Sequence, residues 1–212
     1  YNHDPQVHGL ILQRPLPSPY SFKDLIRQTV SPKKDVDGFL PASPFTAPVA
    51  RAVLKILNKI YFTHVKGTVK PDSDTSVEFL DWFSQKRIVL LGKGETAGAP
   101  IAQTLSKFGI LYEMVTSTTQ NPEKYLGSGE VIISSIGKPD AVNFKVVRKE
   151  AILIGVGLAS IDGKLVGDYD NSWAEQNTAF YTPTPGGVGP VNVACLMQNV
   201  CDGASSQFRL SI

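Results

Sequence analysis

The chain has 212 residues, of which 42% are hydrophobic, and its formal net charge is +2 at pH 7. This length and apolar content allow a full hydrophobic core in one large domain or two small ones. The balanced charge, without a cluster of basic and aromatic residues, argues against a nucleic-acid partner. No apolar stretch is long enough to span a bilayer and no signal-peptide pattern is present, so we expect no membrane association and a cytoplasmic or organellar-matrix setting.

The first part of the chain, residues 1–45, has the pattern of a small α/β segment. Periodicity and turn residues predict a strand over residues 9–13, an amphipathic helix over 22–29 and an acidic turn at Asp35 and Asp37.

The next part begins with a helical pattern over residues 46–60. Its apolar residues share one face of the helix and are predicted to be core: Ala50, Val53, Leu54 and Leu57. A polar loop over 66–74 and a short helix over 77–83 are predicted to follow.

A strand, a glycine-rich loop and a helix follow one another over residues 87–108. The glycines are Gly92, Gly94 and Gly98. This order directs backbone N–H groups and the positive end of the helix at an anion, which is how Rossmann domains hold a pyrophosphate. The spacing is one residue longer than the usual fingerprint, so the loop on its own is a weak signal.

Three more apolar strands are predicted over residues 110–115, 131–136 and 151–157, and each ends in a polar or glycine-rich turn. Ligands of open α/β sheets bind at such carboxyl ends. The pattern therefore predicts an α/β fold with a Rossmann-like nucleotide domain.

The segment 182–190 contains three prolines and three glycines in nine residues, which no regular helix or strand tolerates. It predicts a shaped loop that lies against a ligand and leads into a helix after Pro190. Residues 204–212 are predicted to be a tail.

Six blocks, taken in order, resemble the bifunctional methylenetetrahydrofolate dehydrogenase/methenyltetrahydrofolate cyclohydrolase family. The blocks are residues 7–17, 34–39, 92–100, 136–139, 162–170 and 185–190. The resemblance implies oxidation of 5,10-methylenetetrahydrofolate with NADP and hydrolysis of the methenyl product to 10-formyltetrahydrofolate in the complete protein. It also implies a homodimer formed through the nucleotide domain, and tetrahydrofolate derivatives as ligands.

The resemblance divides the chain into four parts. They are the remainder of an incomplete folate domain (1–45), a bridging helix with an inserted loop (46–83), an NAD(P)-binding Rossmann domain (84–185), and a folate-site loop with a C-terminal helix that returns to the first domain (186–212).

The resemblance also implies the site residues. Gln13 and Asp37 match the family's active-site glutamine and pterin-binding aspartate, although from sequence a strand-face amide and an Asx turn explain them equally well. The other folate-binding residues would be Pro185, Gly186 and Gly187. The cofactor-binding residues would be Gly92, Lys93, Gly94, Gly98, Pro100, Ser117, Gly137, Lys138 and Pro139.

The end of the second predicted strand favours NADP over NAD. Glu113 lies near the distance expected of an acid that binds the ribose 2′-OH in NAD sites, but it falls within the strand. Ser117 matches a family serine at the strand end, where its hydroxyl and the Lys93 ammonium could hold a 2′-phosphate.

Several features depart from the family. Its Tyr-x-x-x-Lys motif, which carries the catalytic lysine, has no counterpart, and Lys23 follows Tyr20 at a spacing one residue short. Lys93 and Gly94 replace an Arg-Ser pair, and Gly155 replaces an aspartate. A homologue or fragment that binds NADP without catalysis therefore remains an alternative, whereas a different Rossmann dehydrogenase would leave the folate-type blocks unexplained.

Cysteine and histidine spacing predicts neither disulfides nor a metal site. Cys195 and Cys201 are expected to be buried thiols, and the three histidines are scattered.

Overall fold

The computed structural model describes residues 1–69, 75–139, 141 and 143–209. The helices are α1 (Phe22–Thr29), α2 (Pro48–Ile60), α3 (Val77–Ser84), α4 (Gly98–Lys107), α5 (Pro122–Ser128), α6 (Asn171–Asn177) and α7 (Val188–Arg209). The strands are β1 (Ile88–Leu91), β2 (Glu113–Val115), β3 (Val131–Ser134), β4 (Ile152–Gly155), β5 (Ala159–Ile161), β6 (Lys164–Val166) and β7 (Phe180–Tyr181).

Five strands form one parallel sheet in the order β2-β1-β3-β4-β7. The remaining two, β5 and β6, pair as an antiparallel hairpin. Since every strand of the main sheet runs the same way, all their carboxyl ends meet at one edge. The predicted α/β fold with a Rossmann-like sheet is confirmed.

The central strands are apolar throughout because helices cover both faces of the sheet. In β1, Ile88 and Leu90 belong to the core cluster that includes α2, α3 and α4, while Val89 and Leu91 belong to the cluster on the opposite face. All four side chains are at most 2% exposed. This two-sided burial produces the unbroken apolar run of a parallel strand.

Helix α2 forms as predicted, with all four residues of its predicted apolar face buried. It begins at Pro48, where the fixed φ of proline suits the first turn. Beyond Ile60 it continues as a π-helical segment, Tyr61–Val65, which the apolar periodicity did not predict. Part of the loop predicted over 66–74 lies outside the described residues.

In the first part of the chain, α1 matches its predicted range but the strand predicted over residues 9–13 is wrong. Only a single parallel bridge joins Leu10 to Asp35, with the Leu10 N–H donating to the Lys34 carbonyl at 2.7 Å. A strand needs a neighbour along its length. Here the neighbouring segment turns into a 3-10 helix, Pro32–Lys34, and the chain beyond Gln13 enters a proline-rich stretch.

The tail predicted from residue 204 is also wrong, because α7 continues to Arg209. Gly203 does not end the helix; a Cβ there would lie 3.0 Å from the His8 carbonyl, so the glycine permits close packing on the first part of the chain. Residues 210–212 of the predicted tail lie outside the described residues. On α7, Cys195 is buried as expected, whereas Cys201 is exposed. Within the described ranges, no helix has the length and apolar character needed to cross a membrane.

Candidate active-site cleft

A cleft of about 610 Å³ lies at the carboxyl ends of the parallel strands. Its walls come from several parts of the chain that are far apart in the sequence. They are the first part of the chain (Arg14, Asp37, Phe39), the start of α2 (Ala47, Pro48, Val49), the glycine-rich loop (Gly94, Thr96, Ala97), the carboxyl end of β4 and the segments after β3 and β4 (Ser135, Ile136, Gly137, Gly155, Val156, Gly157, Leu158), Leu165 of β6, and residues 183–190 with Asn192.

The glycine-rich loop packs tightly between β1 and α4. Gly92 has a φ of +87°, and a Cβ there would lie 2.8 Å from the Ser135 carbonyl oxygen. Gly98, the first residue of α4, abuts the Gly92 carbonyl so closely that a Cβ would collide with it. These two glycines bring the positive end of α4 to the end of β1, where an anion would be bound.

A second cavity of about 190 Å³ lies beside the end of β2 and contains Ser117. The turn there is rich in hydroxyls: Thr119 Oγ1 accepts from the Thr116 N–H at 2.9 Å, and the Thr116 and Thr118 hydroxyls are 3.0 Å apart. In Rossmann domains the adenosine end of the dinucleotide lies at the second strand and the pyrophosphate at the first helix. The nicotinamide end would then reach the main cleft, over β3 and β4.

The proline-glycine loop at residues 183–187 is held by a side chain rather than by a sheet. The Asn171 amide donates to the Thr184 carbonyl at 2.7 Å and accepts from the Thr184 N–H at 3.0 Å. Gly186 has a φ of +103°, and a Cβ on Gly187 would lie 2.5 Å from the Pro183 carbonyl. The loop therefore has a defined shape along the cleft, as the sequence predicted.

The acidic turn forms the facing wall. Asp35 is fully buried, and its Oδ2 accepts from the Leu40 N–H at 2.7 Å. Gly38, at a φ of +67°, lets the turn approach the backbone of Ala47. Asp35 thus supports the turn, and Asp37 is presented to the cleft.

The electrostatic surroundings of Asp37 are mixed. Burial, first of all, raises the pKa of its carboxyl above the usual value of 3.8; the nearby Asp35 raises it further, and Arg14 lowers it. The Arg14 guanidinium also lies over the Phe39 ring, 4.6 Å from its centroid. The side chains of Arg14, Asp37 and Phe39 form one end of the cleft.

Helix α7 holds this turn in place. The Asn199 amide donates to the carbonyls of Val36 and Thr46, at 2.8 and 2.9 Å, and Arg51 donates to its oxygen at 2.7 Å. The wall bearing Asp37 is therefore fixed to the helix that begins at the proline-glycine loop.

Residues 78–208 match the model of a protein family described as tetrahydrofolate dehydrogenase/cyclohydrolase, NAD(P)-binding domain. The chain belongs to this family. It is 31% identical to the bifunctional protein FolD of Methanosphaerula palustris over 214 aligned positions, which cover 97% of this chain and 70% of that protein. The resemblance identified from the sequence blocks is confirmed.

Two solved FolD structures have the same fold. The Campylobacter jejuni enzyme is 29% identical, with a TM-score of 0.80 over 97% of this chain and 70% of its own. The Trypanosoma brucei enzyme, described as complexed with NADP cofactor and inhibitor, is 27% identical, with a TM-score of 0.79 over 98% of this chain and 70% of its own.

The FolD-type site residues predicted from sequence fall into three groups. The main cleft is lined by Asp37, Gly94, Gly137, Pro185, Gly186 and Gly187. The cavity at β2 is lined by Gly92 and Ser117. The residues that line neither are Gln13, Lys93, Gly98, Pro100, Lys138 and Pro139.

The structure gives four of the residues outside both cavities other surroundings. Gln13 is exposed, and its amide donates to the Arg14 carbonyl at 3.0 Å. Lys93 is exposed, and Gly98 and Pro100 are buried in the packing of α4.

Sequence reasoning missed the residues that hold the loops. Arg14 lies in a block that carried the resemblance and Asn171 directly follows one, but nothing in their local pattern indicated a contact with the cleft wall. Asp168 was missed for the same reason: it is 1% exposed and accepts hydrogen bonds from the end of β3 and the segment after it. Their contacts join segments that are far apart in the sequence, so no local pattern could have identified these residues.

Proposed function

We propose that this chain binds NADP and a tetrahydrofolate derivative on opposite walls of the 610 Å³ cleft and oxidises 5,10-methylenetetrahydrofolate. The observation that carries the proposal is that two different sites form the walls of one cleft. One is a dinucleotide site formed by the glycine-rich loop and the strand ends, and the other is the acidic turn with Asp37. The solved FolD relative with bound NADP supports the same cofactor.

The reaction would be a hydride transfer. Bound NADP would accept the hydride that the methylene carbon loses, and the folate would become the methenyl cation. The role of the protein is to align the two rings and exclude water between them. Residues 183–190, held by Asn171, would lie beside the reacting rings, while Asp37 would accept hydrogen bonds from the N–H groups of the pterin.

We assign the parts of the chain accordingly. The folate side comprises residues 1–45 and 186–212, and the cofactor side comprises 84–185, joined through the segment 46–83. The cofactor residues would be those of the glycine-rich loop, Ser117 and the segment 137–139, and Gln13 would act with Asp37 once folate is bound. We also propose that the chain forms a homodimer and lies in the cytoplasm or an organellar matrix. Light scattering of the purified chain would test the dimer.

NADP should bind more tightly than NAD. Ser117 lines the cavity at β2, and the neighbouring threonine hydroxyls can also bind a 2′-phosphate. Lys93 is exposed and can reach an anion only from solvent, so Lys93→Ala should weaken NADP by roughly 0.5–2 kcal/mol and leave NAD unchanged. Quenching of Trp82 and Trp173 fluorescence measures both affinities. Lys107→Ala, an exposed lysine at the far end of α4, is the matched control, and NAD affinity equal to that of NADP would contradict the prediction.

The second family activity, hydrolysis of the methenyl group, should be absent from this chain. Water must attack the cationic carbon, lose a proton and open the C–N bond, and a positioned base contributes about 10²- to 10⁴-fold to such steps. Among the described cleft-lining residues there is no lysine. Lys34 is buried and donates to the carbonyls of Tyr1 and Asp4, at 2.7 and 2.6 Å; the side chain of Lys23 lies outside the described residues.

The assay follows the decay of methenyltetrahydrofolate absorbance with and without the chain, corrected for spontaneous hydrolysis. Decay that depends on the chain and disappears in Lys23→Met would contradict the prediction and assign the base to Lys23. The lack of a lysine among the described cleft-lining residues also favours the alternative function, an NADP-binding homologue without catalysis. Cofactor binding with no reduction of NADP by 5,10-methylenetetrahydrofolate would establish that alternative.

A further inference from the structure

A buried carboxylate lies directly behind the cleft wall, where no ligand can touch it. Asp168 is 1% exposed, and its two oxygens accept four hydrogen bonds. The donors are the Ser134 hydroxyl at 2.6 Å and the N–H groups of Ile136, Gly137 and Lys138 at 2.9, 2.7 and 3.1 Å. A side chain that accepts from four donors and donates to none is a carboxylate anion.

The surrounding backbone is shaped to admit this anion. A Cβ on Gly157 would collide with both carboxylate oxygens of Asp168, so only glycine leaves room for them. Gly137 has a φ of +70°, which allows three successive N–H groups to converge on the carboxylate. Burying an unpaired charge costs free energy unless hydrogen bonds compensate, and here the single stretch from Ser134 to Lys138 supplies that compensation.

These hydrogen bonds determine which ligands the segment after β3 can bind. Three successive N–H groups would ordinarily form an anion site. Here the protein's own carboxylate occupies these three N–H groups, so they are not available to a cofactor phosphate, and the segment can contact other parts of the cofactor only. Gly137 and Gly157 both line the cleft, and the charge of Asp168 therefore lies one layer behind the wall at β3 and β4.

We propose that Asp168 is a positioning residue that makes this wall favour the oxidised, positively charged nicotinamide ring over the reduced, neutral ring. The proposal rests on the proposed function, which places the nicotinamide end over β3 and β4. A buried charge is screened less than a charge in water, so Asp168 should attract a cation in the cleft more strongly than an exposed carboxylate at the same distance would. Hydride transfer neutralises the ring and removes this attraction, so the reduced cofactor leaves more readily.

The test compares three ligands by calorimetry: oxidised NADP, reduced NADP, and the 2′-phosphorylated ADP-ribose fragment, which lacks nicotinamide. The unaltered chain should bind the oxidised form more tightly than the reduced form. Asp168→Asn should weaken the oxidised form by about fivefold to thirtyfold, while the reduced form and the fragment change less than twofold.

Two control variants separate charge from structure. Ser134→Ala removes one hydrogen bond to Asp168 but keeps the charge, so the preference for the oxidised form should remain. Asp170→Asn removes an exposed carboxylate two residues away, whose side chain caps α6 by accepting from the Trp173 N–H at 2.7 Å, and should also leave the preference intact.

Four outcomes would overturn the inference. Equal or reversed affinities in the unaltered chain overturn it even if Asp168→Asn does not fold. An equal loss of affinity for both cofactor forms in Asp168→Asn would mean that Asp168 only supports the fold. If the unaltered chain binds none of the three ligands, the proposed function fails together with this inference, whereas binding of the fragment with an unchanged preference in Asp168→Asn refutes the role of Asp168 only.

Discussion

Asp37→Ala should abolish folate binding while cofactor binding stays intact. The Asp37 carboxylate lies in the cleft wall opposite the glycine-rich loop, where it can accept hydrogen bonds from the pterin. Hydrogen bonds to a charged group contribute about 1.5–3 kcal/mol each, so the loss of two corresponds to a decrease in affinity of roughly 10²- to 10⁴-fold. Calorimetric titration of both proteins with tetrahydrofolate measures the change, and a parallel NADP titration should show none.

Two further variants make this result specific. Asp24→Ala removes an exposed carboxylate from the same part of the chain and should leave folate binding unchanged. Asp37→Asn keeps the shape and one acceptor oxygen, so it should retain more affinity than Asp37→Ala. If Asp37→Ala binds folate as well as the parent chain, Asp37 only supports the turn.

The pH dependence of folate binding follows from the same carboxyl. Because burial raises the pKa of Asp37 above the usual value of 3.8, it becomes protonated at a higher pH than an exposed aspartate. Protonation removes an acceptor, so folate affinity should be full above the raised pKa and fall as the pH is lowered through it. Asp37→Asn should abolish this dependence, which titrations over a pH series would reveal.

Gly98→Ala should destabilise the fold and abolish cofactor binding together. The added Cβ would collide with the Gly92 carbonyl and lie 2.9 Å from the Ser135 hydroxyl, so α4 must move away from β1. Overpacking of this kind costs typically about 1–3 kcal/mol in free energy of unfolding. The displacement would also misplace the N–H groups at the start of α4, on which anion binding depends.

Urea denaturation and an NADP titration measure the two effects. Gly94→Ala is the matched control for stability, because a Cβ there meets no atom within 4 Å. Unchanged stability and affinity in Gly98→Ala would show that α4 does not need this close approach.

The sequence was sufficient for the features that depend on neighbouring residues. The apolar run at β1, the glycines after it and the helix that follows are local signals, because strand burial, positive φ and helix starts are decided within a few residues. The same holds for α1, whose predicted range agrees with the structure. Six blocks in a familiar order then identified the family, which no single motif could have done.

Sequence reasoning failed where the outcome depended on a distant partner. Residues 9–13, predicted to be a strand, form only one β-bridge, between Leu10 and Asp35. The tail predicted from residue 204 remains helical because Gly203 packs on His8. Neither partner is adjacent in sequence.

The tertiary structure alone decided which side chains hold the cleft together. Asp168 accepts from donors 30 to 34 residues earlier in the chain, and Asn171 binds Thr184 13 residues later. Gln13 matches a family position, yet in this structure Arg14 is the neighbour that lines the cleft. Local patterns determine elements because backbone geometry is local, whereas a site depends on side chains from several elements whose hydrogen-bond partners are chosen only when the chain has folded.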